Sequence, residues 1–148
     1  MVCGFDPQKD NRQEIDGDCK QIARLMDVSG SKLDHIDVYG MNAVAIGASR
    51  GLTKFCKFLI EQDVPFDLPE PDFHTTPLMR AASNGYTDTF DLLLNKGANI
   101  TALDSSGLTA MHHAVIYAMR NKSISSMEKV VESVSTIKPD LLNQVSFL

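Results

Sequence analysis

The chain has 148 residues, 43% of them apolar, and a formal net charge of −5 at pH 7. That length holds one domain with a continuous but thin core, and the acidic balance argues against sequence-independent binding of nucleic acid, which needs a basic surface. No apolar run approaches the length of a membrane span and the N-terminus lacks the apolar centre of a secretory signal, so the cytoplasm, or else the nucleus, is the expected compartment.

Residues 1–17 are polar, contain Pro7 and Gly17, and are expected to form a flexible leader. The acidic stretch from Asp6 to Asp18 is no calcium loop of the helix–loop–helix kind, which ends on a Glu at its twelfth place: counting from Asp6 reaches Gly17, and from Asp10 reaches Gln21. Cys3, Cys19 and Cys56 are odd in number and widely spaced, a pattern of reduced thiols rather than of a disulfide framework. Ile22 to Met26, Gly30 and Leu33 then outline a partial unit over 18–35, an outer helix and turn that would cap the stack.

Three fuller units come next, over about 36–69, 70–102 and 103–142. Thr76-Pro77-Leu78 and Thr109-Ala110-Met111 stand 33 residues apart, while Gly51 to Gly85 and Ile60 to Leu94 are both 34. That period belongs to a unit of one β-turn and two helices. In each unit a polar residue (Asn42, Thr76, Thr109) can accept from the free amides of a first helical turn, and Pro77 fits where no donor is needed. Leu78, Ala81 and Ala82 make a buried face with side chains small enough for a neighbouring helix to approach, and Gly85 ends the helix where positive φ is cheap. Phe90, Leu93 and Leu94 recur at helical spacing on a second helix closed by Gly97, and their apolar stripe reads as core.

The third unit departs from this pattern. After Met119 comes Arg-Asn-Lys-Ser-Ile-Ser-Ser, read as an inserted polar loop before the next apolar helical run, Met127, Val130, Val131 and Val134. Pro139 to Asn143 reads as the turn into a further repeat, with 143–148 as its truncated start; Val145, Phe147 and Leu148 are apolar where a terminal unit is expected to be polar. The expectation is therefore a short isoform or a fragment of a longer array, of marginal stability, with Met127, Val130, Val134 and Leu141 partly wet at an uncovered end.

The second unit carries the most specific wording. Asp72-Phe-His-Thr-Thr-Pro-Leu-Met-Arg-Ala-Ala-Ser-Asn-Gly-Tyr86, followed by Asp91-Leu-Leu-Leu-Asn-Lys-Gly-Ala-Asn-Ile100, resembles an ankyrin repeat. The likeness covers about 18–142. It implies an all-α repeat solenoid, an ankyrin repeat stack of helix-turn-helix units joined by β-turn or hairpin loops. It also implies a non-enzymatic protein-interaction module, an adaptor or scaffold, that holds a protein partner with its turn tips and the concave face of its first helices. Carried onto this chain, that face comprises Val38, Tyr39, Met41, Ser49 and Arg50 in the first repeat, Asp72, Phe73, Thr75, Ser83 and Asn84 in the second, and Ser105, Ser106, Leu108, Ile116 and Tyr117 in the third. Several are aromatic or apolar where a solvated loop would be polar, and Tyr, Phe and Met are enriched in interface cores. For Val38 and Leu108, packing between turns is the alternative. The alternative for the whole chain is a regulatory or targeting segment of a larger enzyme or channel.

No catalytic, metal, cofactor or small-molecule site is expected. Gly47-Ala-Ser-Arg-Gly51 matches G-x-S-x-G, but a nucleophile elbow needs a strand-to-helix turn on a sheet with an acid and a His downstream, and here Gly47, Ala48 and Gly51 take the places of Ala81, Ala82 and Gly85 inside a helix. His112 and His113 are adjacent, so on a helix their rings point about 100° apart and share one metal poorly. The resemblance makes His112 the histidine that bonds between units, and His113 a surface residue. Asn99-Ile-Thr101 and Asn121-Lys-Ser123 match the glycosylation tripeptide, which a chain that is not secreted would not use.

Overall fold

The computed structural model describes residues 35–140. The expected leader (1–17), nearly all of the capping unit (18–35) and the segment 143–148 lie outside the described residues. Among the described residues six helices occur in order: α1 (Ala43–Arg50), α2 (Thr53–Glu61), α3 (Pro77–Ser83), α4 (Thr87–Asn95), α5 (Ala110–Asn121) and α6 (Ile124–Ile137). They form three helical hairpins, α1 with α2, α3 with α4 and α5 with α6. The first helices stack as an inner row, α1 on α3 on α5, and the second helices as an outer row, α2 on α4 on α6.

The inner helices begin alike because the same cap chemistry recurs. Asn42 Oδ1 accepts from Ala45 N (3.0 Å), Thr76 Oγ1 from Met79 N (3.3 Å) and Thr109 Oγ1 from His112 N (3.5 Å). Each supplies an acceptor for an amide that the first turn leaves without a helical partner. Between inner and outer helix the chain turns in two steps, with Leu52 N donating to Gly47 O and Tyr86 N to Ala81 O (2.9 and 3.0 Å). These turns need one left-handed residue, which Gly51 and Gly85 supply at φ 71° and 73°.

In the third unit Ala118 stands where the other units have that glycine. A left-handed alanine is disfavoured, so α5 runs on for another turn and the left-handed residue becomes Lys122 at φ 50°. The expected inserted loop is therefore absent: the extra residues lengthen α5 and α6, and only Lys122 and Ser123 join them. The longer α6 covers two of the residues expected to be partly wet: Val130 and Val134 are buried, packed toward α4, while Met127 is partly exposed beside the same core and Leu141 lies outside the described residues.

Small side chains and a few large ones fill the interior. Ala48, Ala81, Ala82, Ala110 and Ala114 let the inner helices approach, while Leu59, Leu78, Phe90, Leu93 and Leu94 fill the space between inner and outer rows. Polar bonds also cross between units, one of them buried and two at the surface. Thr89 is fully buried, and its hydroxyl lies 2.7 Å from that of Thr53 on α2. Asn84 Nδ2 donates to Ser49 O (3.2 Å), and Asn99 N to Asp67 Oδ2 (3.0 Å). The buried Thr89 hydroxyl is tolerated because it is so paired.

Candidate functional site

Three turn tips project from the stack ahead of α1, α3 and α5. The first and third are built alike. Asp37 Oδ1 accepts from Tyr39 N and Met41 N, and Asp104 Oδ1 from Ser106 N and Leu108 N, all at 2.9 Å. One carboxylate oxygen thus satisfies two turn amides, with Gly40 and Gly107 in the left-handed conformation that the turn requires.

The middle tip is built differently. Pro71 occupies the place of those aspartates, so the turn closes through backbone bonds alone, His74 N to Glu70 O (2.8 Å) and Glu70 N to Thr75 O (3.0 Å). His74 takes the glycine's place at φ 52°, a conformation costing a residue with a Cβ roughly 1–2 kcal/mol. Strain of this sort concentrates at functional segments.

Glu70 is buried beneath that tip and receives Arg80 of α3 in a two-pronged pair, Nε to Oε1 at 2.7 Å and Nη2 to Oε2 at 2.6 Å. Hydrogen bonding to Glu70 raises the Arg80 guanidinium above its ordinary pKa, against the opposing pull of burial. In the third unit His113 Nε2 and Asp104 Oδ2 make the corresponding link at 2.8 Å. His113 is therefore not a plain surface residue. His112 does not bond to a neighbouring unit: its Nδ1 lies 3.0 Å from Thr109 N and 2.9 Å from Thr109 Oγ1, closing the cap of its own helix.

The tips present apolar side chains to solvent. Val38 is 93% exposed, Tyr39 73% and Phe73 62%. A tip-to-tip bond from Ser105 N to Phe73 O (2.9 Å) ties the second turn to the third, holding the backbone under Phe73 in place. Asp72, Asn84, Arg50, Ser105 and Ser106 are also exposed, and Met41, Ser49, Ser83, Leu108 and Ile116 are half-buried along the inner helices.

Two of the expected contact residues sit elsewhere. Thr75 is buried because its carbonyl closes the middle turn onto Glu70, which faces the residue inward. Tyr117 is half-buried with its ring over Gly85, so it packs between units rather than standing free on the concave face. Conversely, nothing local in the sequence singles out Glu70 and Arg80, which are ten residues apart and joined only by the fold.

Ser49 Oγ donates to Ile46 O inside α1 (2.7 Å). A polar groove of about 320 Å³ runs between α4 and α6, lined by Asp88, Asp91, Lys129 and Glu132 among others. Among the described residues no three His, Cys, Asp or Glu side chains are placed to hold a metal ion, and no helix is long and apolar enough to cross a membrane.

Paired helices stacked in two rows, with a turn tip before each inner helix, agree with the sequence comparison. The family profile for ankyrin repeats (three copies) matches residues 14–104 and 66–132. The chain belongs to the ankyrin repeat family. Its ankyrin relatives are otherwise diverse. A protein of Rickettsia bellii that carries an ankyrin-repeat name is 44% identical over 66 residues, 45% of this chain and 24% of the relative. Alpha-latrotoxin-Lhe1a of Latrodectus hesperus is 30% identical over 89 residues, 60% of this chain and 6% of the toxin. Phosphocholine transferase AnkX of Legionella pneumophila is 28% identical over 102 residues, 69% of this chain and 10% of the enzyme. The ankyrin chain thus spans a quarter or less of the length of each of these relatives.

The third tip also makes an expectation for acid. Burial pushes the Asp104 carboxyl up, but the hydrogen bonds it accepts from Leu108 N, His113 and Ser106 N outweigh burial and hold its pKa below the ordinary value. A carboxyl depressed on folding contributes stability that is fully present above its unfolded pKa and is lost as pH falls through the folded one. Acid titration of the melting temperature should therefore fall less steeply below about pH 4 in Asp104→Asn than in the parent. An identical acid limb in both would mean that Asp104 is not a source of the loss.

Proposed function

We propose that the chain is a non-enzymatic protein-interaction module, an adaptor or scaffold, and that it grips a partner with the tips and concave face of its inner helices. The observation that carries this reading is the run of exposed apolar side chains, Val38, Tyr39 and Phe73, on turns whose backbones are fixed by internal hydrogen bonds. Rigid presentation lowers the ordering cost of binding, and aromatic side chains dominate the energy of interfaces. Arg80 adds an oriented guanidinium near the same face, one-third exposed and held edge-on by Glu70. A cytoplasmic or nuclear setting accords with the composition.

The expected result concerns Tyr39→Ala and Phe73→Ala. Each should weaken a partner by about 1 kcal/mol or more, with circular dichroism and melting unchanged because neither side chain is buried. A photo-crosslinking residue at position 73 would capture that partner, and titration of the captured protein against parent and variants measures the loss. Undiminished binding by the double variant would place the contact surface elsewhere.

A second reading is favoured by the relatives' proportions. The chain matches small parts of proteins named as a toxin and as a phosphocholine transferase, as a regulatory or targeting segment of a larger enzyme or channel would. The same substitutions apply, read on the activity or placement of the larger protein.

A further inference from the structure

Charge is sorted between the two rows of helices. The inner helices α1, α3 and α5 contain no Asp or Glu and carry Arg50, Arg80 and Arg120, whereas the outer helices hold Glu61, Asp88, Asp91, Glu128 and Glu132 beside their lysines. In a chain of formal net charge −5, the inner row is a cationic strip.

Arg80 stands at the middle of that strip, on a helix with a packed neighbour on each side, α1 and α5. Buried Glu70 takes its Nε and Nη2. A guanidinium carries five N–H donors in a rigid fork, so this pair fixes the fork while Nη1 is left without a partner among the described residues, and one-third of the side chain faces solvent. Arg50 lies alongside. Asn84 Nδ2 donates both to Ser49 O (3.2 Å) and to Arg80 O (3.0 Å), which sets the end of α1, where Arg50 follows Ser49, beside the last turn of α3. Arg50 is exposed and makes no ion pair among the described residues.

The acids near this strip belong to the tips and are mostly committed. Glu70 holds Arg80, Asp104 holds its turn and His113, and Asp37 holds its turn. Asp72, next to Phe73, is exposed.

We propose that the inner face takes an acidic linear segment of a partner protein, with carboxylates seated on Arg80 and Arg50 and an apolar side chain against Tyr39 or Phe73. This rests on the reading of the tips and inner helices as the binding surface, and adds the chemistry of the occupant. A planar guanidinium matches a carboxylate in two-pronged fashion. Held by Glu70, Arg80 gives up little freedom when the segment arrives. With no acid on the inner helices, no group of the same row competes for the arginines, and complementary potential speeds encounter. Asp72 repels the partner's acids from the middle tip, so the segment lies with its apolar residue toward the tips and its acids toward the inner helices. Nucleic acid, the other polyanion, is opposed by the overall negative charge.

The probe is a display library of random short peptides selected on the full chain. Enriched peptides should combine Asp or Glu with an aromatic or leucine residue, and fluorescence anisotropy of one of them should show binding that weakens as salt rises. Arg50→Glu should raise its dissociation constant about fivefold or more. A peptide with one acid exchanged for lysine should recover affinity for Arg50→Glu, which no structural effect of the substitution would produce. Arg80 is tested together with its partner, as Glu70→Gln with Arg80→Gln, because removing Arg80 alone strands a buried carboxylate; the loss should be about tenfold or more. If that double variant melts early, the Arg50 exchange and its rescue decide. Peptides that lose affinity with Tyr39→Ala and Phe73→Ala but not with the arginine variants would leave the binding surface in place and overturn the acidic segment. Peptides indifferent to all of these substitutions would overturn both readings. Enrichment of neutral or basic peptides, enrichment of none, or equal binding of a single-stranded oligonucleotide would also overturn the proposal.

Discussion

Gly85→Ala should destabilise the chain by about 2–5 kcal/mol, the sum of two separate costs. Gly85 sits at φ 73°, where a Cβ costs roughly 1–2 kcal/mol. A Cβ built there would also overlap the Tyr117 ring of the next unit, and overpacking typically costs about 1–3 kcal/mol. The two can be separated. Gly107 has nearly the same backbone, φ 75°, with nothing within 4 Å of a built Cβ, so Gly107→Ala should show only the backbone cost. In a Tyr117→Ala background, Gly85→Ala should fall to that smaller value as well, a coupling that urea denaturation can measure. If Gly85→Ala costs no more than Gly107→Ala, the tyrosine does not hold its ring against the glycine in solution.

Phe90→Ala should cost about 3–5 kcal/mol. Phe90 is the largest of the fully buried side chains, on α4 in the middle unit, which has a neighbour on each side. Truncation removes its transfer free energy and leaves a cavity that two stacked neighbours prevent from collapsing. Phe58→Ala on α2 is the comparison, because Phe58 is only partly buried against the core and its loss should cost less. The Phe90 variant is expected to lose most of its helical signal well below the parent's melting temperature. Equal melting of the two variants would mean that stability is not concentrated in the middle unit.

These expectations draw on different levels of information. The period of 33 to 34 residues, the caps at Asn42, Thr76 and Thr109, and the glycines at 51 and 85 determine paired helices and their hand-over points, because each is a short-range matter of hydrogen-bond supply or φ. Periodicity likewise marks Leu78, Phe90, Leu93 and Leu94 as core. The exposed tips at Val38, Tyr39 and Phe73 were legible too, since the recurring turn places them before each inner helix.

Other features depend on neighbours distant in the chain. The polar run after Met119 reads as a loop, yet Ala118 in place of a glycine and the packing of α6 toward α4 turn it into helix. Thr75 and Tyr117 look like contact residues by position, but a backbone turn onto Glu70 and the space above Gly85 draw them in. Arg80 with Glu70, and His113 with Asp104, pair across gaps of ten and nine residues that no helical or strand period anticipates. Sequence by itself determined the repeating unit, because its signals are local; the tertiary structure decided which side chains of that unit remain free to meet a partner, because burial and ion pairing are set by what the next unit brings alongside.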